Sequence, residues 1–328
     1  MSELSPPRLV FMGTPGFAVP ALEALVAAGL PPALVVTAPD GTAGRGKALR
    51  PSAVKLAAEA RGLAVRQPDD LRAPAFVAEL RALGPDVIVV VAFRILPPEV
   101  YQTARLGAFN LHASLLPAYR GAAPIQRALM AGERETGVTT FLLQPSVDTG
   151  AILRQERLSV GPDETGGELH DRLAALGAAL VVETAQGLLA GTLRATPQDD
   201  TRASRAPKIF RDDARLDWAR AARALHNHVR ALAPVPGAWT AWRGETLKVL
   251  ATQVAQEDGR CGTPGAVLEA GPRLVVACGE GALELRAVQR EGKRRVEAAA
   301  FLNGAGLRPG EHLGEHLGVL AGERGATP

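Results

Sequence analysis

Cysteine is almost absent: the 328 residues contain two, Cys261 and Cys278. Two widely spaced thiols exclude a disulfide framework and point to a reducing, cytoplasmic setting. No stretch approaches the ~18 consecutive apolar residues of a membrane span. The opening Met1-Ser-Glu-Leu-Ser-Pro-Pro7 lacks the basic and apolar regions of a signal peptide, so no membrane partner is expected. A dinucleotide fingerprint is missing as well. Arg8–Met12 reads as a short strand, and Gly13-Thr-Pro-Gly16 as the turn into a helix carrying Val19, Leu22, Leu25 and Val26 on one face. Pro15, however, stands where a pyrophosphate needs glycine, and no acidic residue closes a second strand. Gly41 to Lys47 spells G-x-x-x-x-G-K, but Ala48 replaces the magnesium-binding Ser or Thr, and Pro51 intervenes before any helix. His312-Leu-Gly-Glu-His316 has zinc-like spacing, yet Gly310, Gly314 and Gly318 oppose a helix there. These gaps argue against nicotinamide, nucleotide-triphosphate and zinc chemistry.

Apolar residues make up 47% and charged residues 22%, enough for an α/β domain and a smaller second one. The net charge of +3 hides an asymmetry. Residues 201–328 hold 19 Lys/Arg against 14 Asp/Glu, leaving 18 against 20 in front, so the back of the chain is suited to a polyanion. Ala33–Thr37 reads as a second strand, and the loop from Pro39 to Pro51 is long, glycine-rich and basic. Helical periods follow at 52–60 and 71–83, then an apolar run, Asp86–Ala92, that reads as a strand buried on both faces. Beyond it come a strand at 107–112, a helix at 123–131 and strands at 138–143 and 151–155. Thr165-Gly-Gly-Glu168 is a capping box opening a helix with Leu169, Leu173, Leu176 and Leu180 in one stripe. This alternation implies an α/β fold, a doubly wound Rossmann-like parallel sheet with its crevice at the strands' carboxyl ends. Residues 191–207 have linker composition. A helix then carries Trp218, Ala222, Leu225, Val229 and Leu232 in register, with Arg220, Arg223, Asn227 and Arg230 opposite. Five short strand-like runs between 238 and 288 suggest a smaller OB-like β-barrel. The expected organisation is therefore a catalytic domain at 1–190, a linker at 191–207 and a barrel domain at 208–328.

Within this frame the informative stretch is Asn110-Leu-His-Ala-Ser-Leu-Leu-Pro117 with Asp148-Thr-Gly150. A strand repeats every two residues, so Asn110 and His112 share one side of the sheet. If buried, each would cost about 1–3 kcal/mol without a partner. Asn offers a neutral amide donor, and His one that titrates near neutrality. Such donors suit a developing oxyanion, and a loop carboxylate at Asp148 could orient the imidazole or carry a proton.

NLHASLLPAYRGAAPIQRAL, followed by ETGVTTF and VDTG, resembles the active-site signature of the methionyl-tRNA formyltransferase family. APDGTAGRGKALRPSAVK is similar to that family's loop reaching the tRNA acceptor stem. KIFRDDARLDW and RALAPVPGAW are similar to the opening of its C-terminal domain. The resemblance implies transfer of a formyl group from 10-formyltetrahydrofolate to the α-amine of initiator methionyl-tRNA, with no metal and no obligate protein partner. It assigns Asn110 and protonated His112 to oxyanion stabilisation and Asp148 to holding the imidazolium and moving a proton. It also implies a folate pocket bounded by Ser114, Leu115, Leu116 and Pro117 and by Val90, Val91, Ala92, Phe93 and Ile95. Arg45, Lys47 and Arg50 would meet the tRNA, and residues 208–328 would form the tRNA-binding domain. Two segments depart from the family pattern. Ala92-Phe-Arg-Ile-Leu-Pro97 is one residue short, with Arg94 where Tyr-Gly is usual, and Ser146-Val147 replaces Gly-Leu. The rival readings are a formyltransferase for a small amine, a 10-formyltetrahydrofolate hydrolase, and a non-catalytic RNA-binding module.

Overall fold

Unbroken aliphatic runs build the first sheet. A computed structural model describes residues 6–43 and 48–314. The chain opens with β1 (Leu9–Gly13), α1 (Val19–Ala27), β2 (Leu34–Val36) and the short strands β3 (Gly41–Ala43) and β4 (Ala48–Arg50). It continues through α2 (Ala53–Glu59), β5 (Val65–Arg66), α3 (Pro74–Leu83), β6 (Val87–Val91) and α4 (Pro98–Tyr101). Next come β7 (Gly107–His112), α5 (Pro124–Ala131), β8 (Glu135–Leu142), β9 (Ile152–Ser159) and α6 (Gly166–Leu189). Two compact units result. The first takes 6–125, 134–160 and 169–208; the second takes 126–133, 161–168 and 209–314.

The first unit's sheet has the order β5-β2-β1-β6-β7-β8-β9. The five strands from β5 to β7 are parallel. Every residue of β1 and β6 is buried, as strands covered on both faces require. This is the α/β sheet expected, except that β8 and β9 extend it antiparallel. The connection from Leu142 to Ile152 is shorter than the roughly dozen residues a parallel crossover needs, so β8 and β9 close as a hairpin.

The capping box forms as read: Thr165 N–H donates to Glu168 Oε2 at 2.9 Å, and Glu168 N–H donates to Thr165 Oγ1 at 3.3 Å. The part of α6 in the first unit packs on β7 and β8. A Cβ at Gly177 would lie 2.5 Å from Leu111 Cδ2, and Thr184 Oγ1 lies 2.8 Å from Thr140 Oγ1. Leu111 therefore faces α6, and alternation turns Asn110 and His112 to the opposite face.

The second unit comprises α7 (Ala222–Leu232), β10 (Ala238–Trp242), β11 (Glu245–Gln256), β12 (Val267–Ala270), β13 (Leu274–Ala277), β14 (Ala282–Arg290), β15 (Val296–Glu297) and α8 (Ala298–Ala305). Its antiparallel sheet runs β10-β11-β14-β13-β12, with β15 on β14, and supplies the smaller β domain expected. Trp218, Leu225, Val229, Trp242, Leu285 and Phe301 share one core.

On the polar side of α7 Arg223 is exposed, but Asn227 and Arg230, opposite the apolar stripe, are buried. Segments 126–133 and 161–168 belong to this unit and explain why. Arg230 donates to Asn227 Oδ1 (2.9 Å), Gly161 O (3.2 Å) and Glu164 O (3.0 Å). His226 Nε2 lies 3.1 Å from Asp163 Oδ1 without hydrogen-bonding geometry. His228 is only 6% exposed, and its Nε2 is buried without a hydrogen bond. Burial, reinforced by the Arg220 charge, pushes His228 down to about 4. An imidazole in the unfolded chain protonates near 6.5, so unfolding takes up a proton between these values. This contribution to stability is complete above pH ~6.5 and is lost as pH falls toward ~4, with about 2 kcal/mol gone by pH 5. His226 is shifted the same way by burial. Urea midpoints from pH 7 to 4.5 should therefore fall less steeply in His228→Gln than in wild type. Parallel curves would remove His228 from the acid response.

Candidate active site

The end of β7 carries the polar pair. Asn110 is half-buried and His112 is 6% exposed, beside Phe141 and Thr139 on β8. Residues directly opposite in an antiparallel pair share a face. The His112 ring accordingly meets Phe141 edge-on, with centroids 6.5 Å apart. Among the described residues the Asn110 amide has no hydrogen-bond partner, so its two N–H donors are available to a ligand. His112 Nε2 lies 2.9 Å from Tyr119 O. A carbonyl only accepts, so Nε2 carries the proton and Nδ1 turns toward Asp148. Asp148 Oδ2 is 3.8 Å from Nδ1, too far for a hydrogen bond but close enough for an ion pair when the ring is charged. The same oxygen accepts from Gly121 N–H at 2.9 Å. Gly121 has φ 128°, and a Cβ there would lie 2.5 Å from Ala206 O, so only glycine fits. Asp148 itself is left-handed at φ 55°, its side chain 14% exposed. The structure thus brings Asn110, His112 and Asp148 together at the carboxyl end of a central strand.

The other sequence candidates fall into distinct places. Ser114 Oγ donates to Ala118 O at 2.6 Å, and Leu116 N–H donates to Thr139 Oγ1 at 3.1 Å, which fixes the turn after His112. Leu115 and Pro117 are half-buried. Val90 pairs in register with Asn110 and shares its face, whereas Val91 sits beside Leu111 on the α6 side. Ala92 turns the chain at φ 46°, and the backbone of 93–95 makes no hydrogen bond among the described residues. Phe93 is half-buried, but Ile95 is 77% exposed, an apolar side chain open to cover. Arg94, at the shortened segment, reaches back to Asp69 O (3.0 Å) and Pro68 O (2.8 Å), so its charge braces a neighbouring loop. Arg50 is exposed at the end of the β3–β4 ribbon; Arg45 and Lys47 lie outside the described residues, as does His316. In the second unit a cavity of about 560 Å³ is lined by Phe210, Arg211, Trp239, Lys248 and Arg290, among others.

Residues 8–185 match the family model described as formyl transferase, and residues 208–306 match formyl transferase, C-terminal domain. The chain belongs to the formyl transferase family. It is 48% identical over 306 residues to a protein of Chlorobium phaeovibrioides named methionyl-tRNA formyltransferase, covering 92% of this chain and 96% of that one. It is 49% identical over 312 residues to one of the same name from Solibacter usitatus, covering 94% and 100%. Among solved structures it is similar to an N-formyltransferase from Helicobacter canadensis in complex with folinic acid and dTDP-3-aminofucose. That likeness has a TM-score of 0.65 at 17% identity, covering 87% of this chain and 99% of the other, and speaks for the fold.

In this member of the family, four groups around the trio escaped the sequence reading: Tyr119 O, Gly121 N–H, Thr139 and Gln198. Glycine at 121 was a visible signal of close backbone approach. Thr139 Oγ1 donates to Ser114 O at 2.6 Å, but nothing local to its strand marks that role. Gln155 Nε2 adds a bond to Leu116 O at 2.8 Å, so the turn after His112 is tied to both β8 and β9.

Proposed function

We propose that the chain transfers the formyl group of 10-formyltetrahydrofolate to the α-amino group of methionine carried by initiator tRNA. The observation that carries the chemistry is the unpartnered Asn110 amide beside a His112–Asp148 pair. The folate co-substrate supplies an activated formyl carbon. Attack by the amine forms one C–N bond, and departure of the donor nitrogen breaks the other, so one proton must pass from the attacking to the leaving nitrogen. Asn110 N–H is the direct donor to the oxyanion that develops between these events. His112 contributes its charge from close by, because Nε2–H is engaged by Tyr119 O. Asp148 holds the imidazolium through Nδ1 and serves the proton transfer.

The residues suit a flat heterocycle bearing amide groups. Val90 and Leu116 offer buried apolar wall, the backbone of 93–95 offers unpaired polar groups, and Ile95 offers apolar surface to cover. The substrate is supported by the two relatives near half identity, by Arg50 beside the basic loop, and by the cationic and aromatic cavity of the second unit. A small amine needs neither basic surface. The test is release of tetrahydrofolate from the formyl donor in three mixtures: with initiator Met-tRNA, with amino-sugar nucleotides and free amino acids, and with neither. Release should require Met-tRNA. Equal turnover with a small amine would reassign the substrate, and release with neither would make the protein a hydrolase.

A further inference from the structure

Asp148 lies in a poorly supported place. Residues 144–147 before it are exposed, and its own left-handed backbone is a conformation that most residues avoid. Its position must be imposed from elsewhere, and the structure shows by what. Gln198 Nε2 donates to Asp148 O at 2.9 Å and to Gly150 O at 2.8 Å, so both amide hydrogens straddle Thr149. Gln198 Oε1 accepts from Arg120 Nε at 3.0 Å and Nη2 at 2.7 Å. Arg120 directly precedes Gly121, whose N–H binds the Asp148 carboxylate. One side-chain amide therefore ties the carboxylate's backbone to the segment that supplies its hydrogen-bond donor.

From these contacts we infer that Gln198 is a positioning residue for the active site, setting where the Asp148 carboxylate stands relative to His112. The inference rests on the catalytic reading of Asp148 above. Gln198 belongs to a segment that read from composition as linker, yet 196–206 runs along the catalytic turn on its own bonds. Thr196 pairs with Ile152, Arg120 N–H donates to Ser204 O at 2.9 Å, and Ala206 N–H donates to Arg120 O at 2.7 Å. Arg120 also holds Asp200 at 2.6 Å. Removing the Gln198 amide leaves these anchors intact, so its loss frees the Asp148 loop without detaching the strap. Glutamine is the one side chain of this length that both donates twice to carbonyls and accepts from a guanidinium. Glutamate keeps the Arg120 contact and sets a carboxylate against two carbonyl oxygens.

The test uses the full-length enzyme with initiator Met-tRNA and the formyl donor. Gln198→Ala and Gln198→Glu should each lower kcat by about 10- to 100-fold, with both KM values within about twofold of wild type. Thermal midpoints should stay close to wild type. The deciding comparison is a cycle with Asp148→Asn. If Gln198 acts through Asp148, adding Gln198→Ala to Asp148→Asn should cost little more than Asp148→Asn alone. Independent, multiplicative losses would overturn the inference, as would a Gln198→Glu enzyme of wild-type kcat. A large fall in melting point with loss of folate binding would make Gln198 merely structural and would also overturn it. The underlying reading fails separately, on an Asp148→Asn enzyme that keeps full activity.

Discussion

Asn110→Ala should lower kcat by 10²- to 10³-fold, about 3–4 kcal/mol of transition-state stabilisation, with little change in KM for the formyl donor. The reason is geometric. His112 Nε2–H is engaged by Tyr119 O and Nδ1 turns to Asp148, which leaves the Asn110 amide as the uncommitted donor of the trio. A donor aimed at charge that exists only in the transition state affects kcat and not ground-state binding. Alanine also leaves no polar atom to be stranded, so the folded state should tolerate it. Steady-state kinetics over a range of formyl-donor concentrations decide the matter. A variant that keeps more than a tenth of wild-type kcat, or whose defect lies wholly in KM, removes Asn110 from oxyanion stabilisation.

Gly150→Ala should be the most damaging single methyl in the first unit. Its Cβ would lie 1.6 Å from Leu142 O and 3.2 Å from Phe141 Cδ2, and neither backbone nor packed ring can yield cheaply. Leu142 N–H donates to Ala151 O at 2.9 Å, so the clash falls at the mouth of the β8–β9 hairpin and forces it apart. Such overpacking against backbone belongs at or above the upper end of the usual range, about 3 kcal/mol or more, which lowers the melting point by roughly 10 °C. The same displacement drags Asp148 away from His112, so folded protein should also lose activity. Gly16→Ala, whose Cβ meets no atom within 4 Å, is the control and should shift the midpoint by no more than about 2 °C. Calorimetry of the two variants tests this. A Gly150→Ala midpoint equal to that of the control would show that the hairpin mouth relaxes at no cost.

What could be read in advance was local. The run Asp86–Ala92 needed only its β-branched character to announce a doubly covered strand, and β6 is buried throughout. Thr165 to Glu168 carried a complete capping box within four residues, and both of its hydrogen bonds form. The period of two alone put Asn110 and His112 on one side of β7. For Arg45 and Lys47 the sequence reading stands alone, since they lie outside the described residues.

What could not be read was set by contacts between distant residues. Asn227 and Arg230 stand opposite the apolar stripe of α7, yet 126–133 and 161–168 bury them, and His228 is left without a hydrogen bond at Nε2. A helical period reports which side is apolar, and cannot report that a polar side has been covered. Arg94 stands where the family usually has Tyr-Gly, and nothing near it in sequence announces that its guanidinium binds Pro68 O and Asp69 O. Gln198 lies 50 residues from Asp148 in a stretch with no periodicity at all. By itself, then, the sequence determined the α/β architecture, the strand that bears Asn110 and His112, and the family to which its motifs are similar. Propensity, alternation and capping act within a few residues and need no partner. Only the tertiary structure decided which donors among the described residues remain free, how far Asp148 stands from His112, and that Gln198 of an apparent linker bonds to its carbonyl. Those are separations between groups far apart in the chain, and a separation of 3.8 Å exists only once the backbone between them has folded.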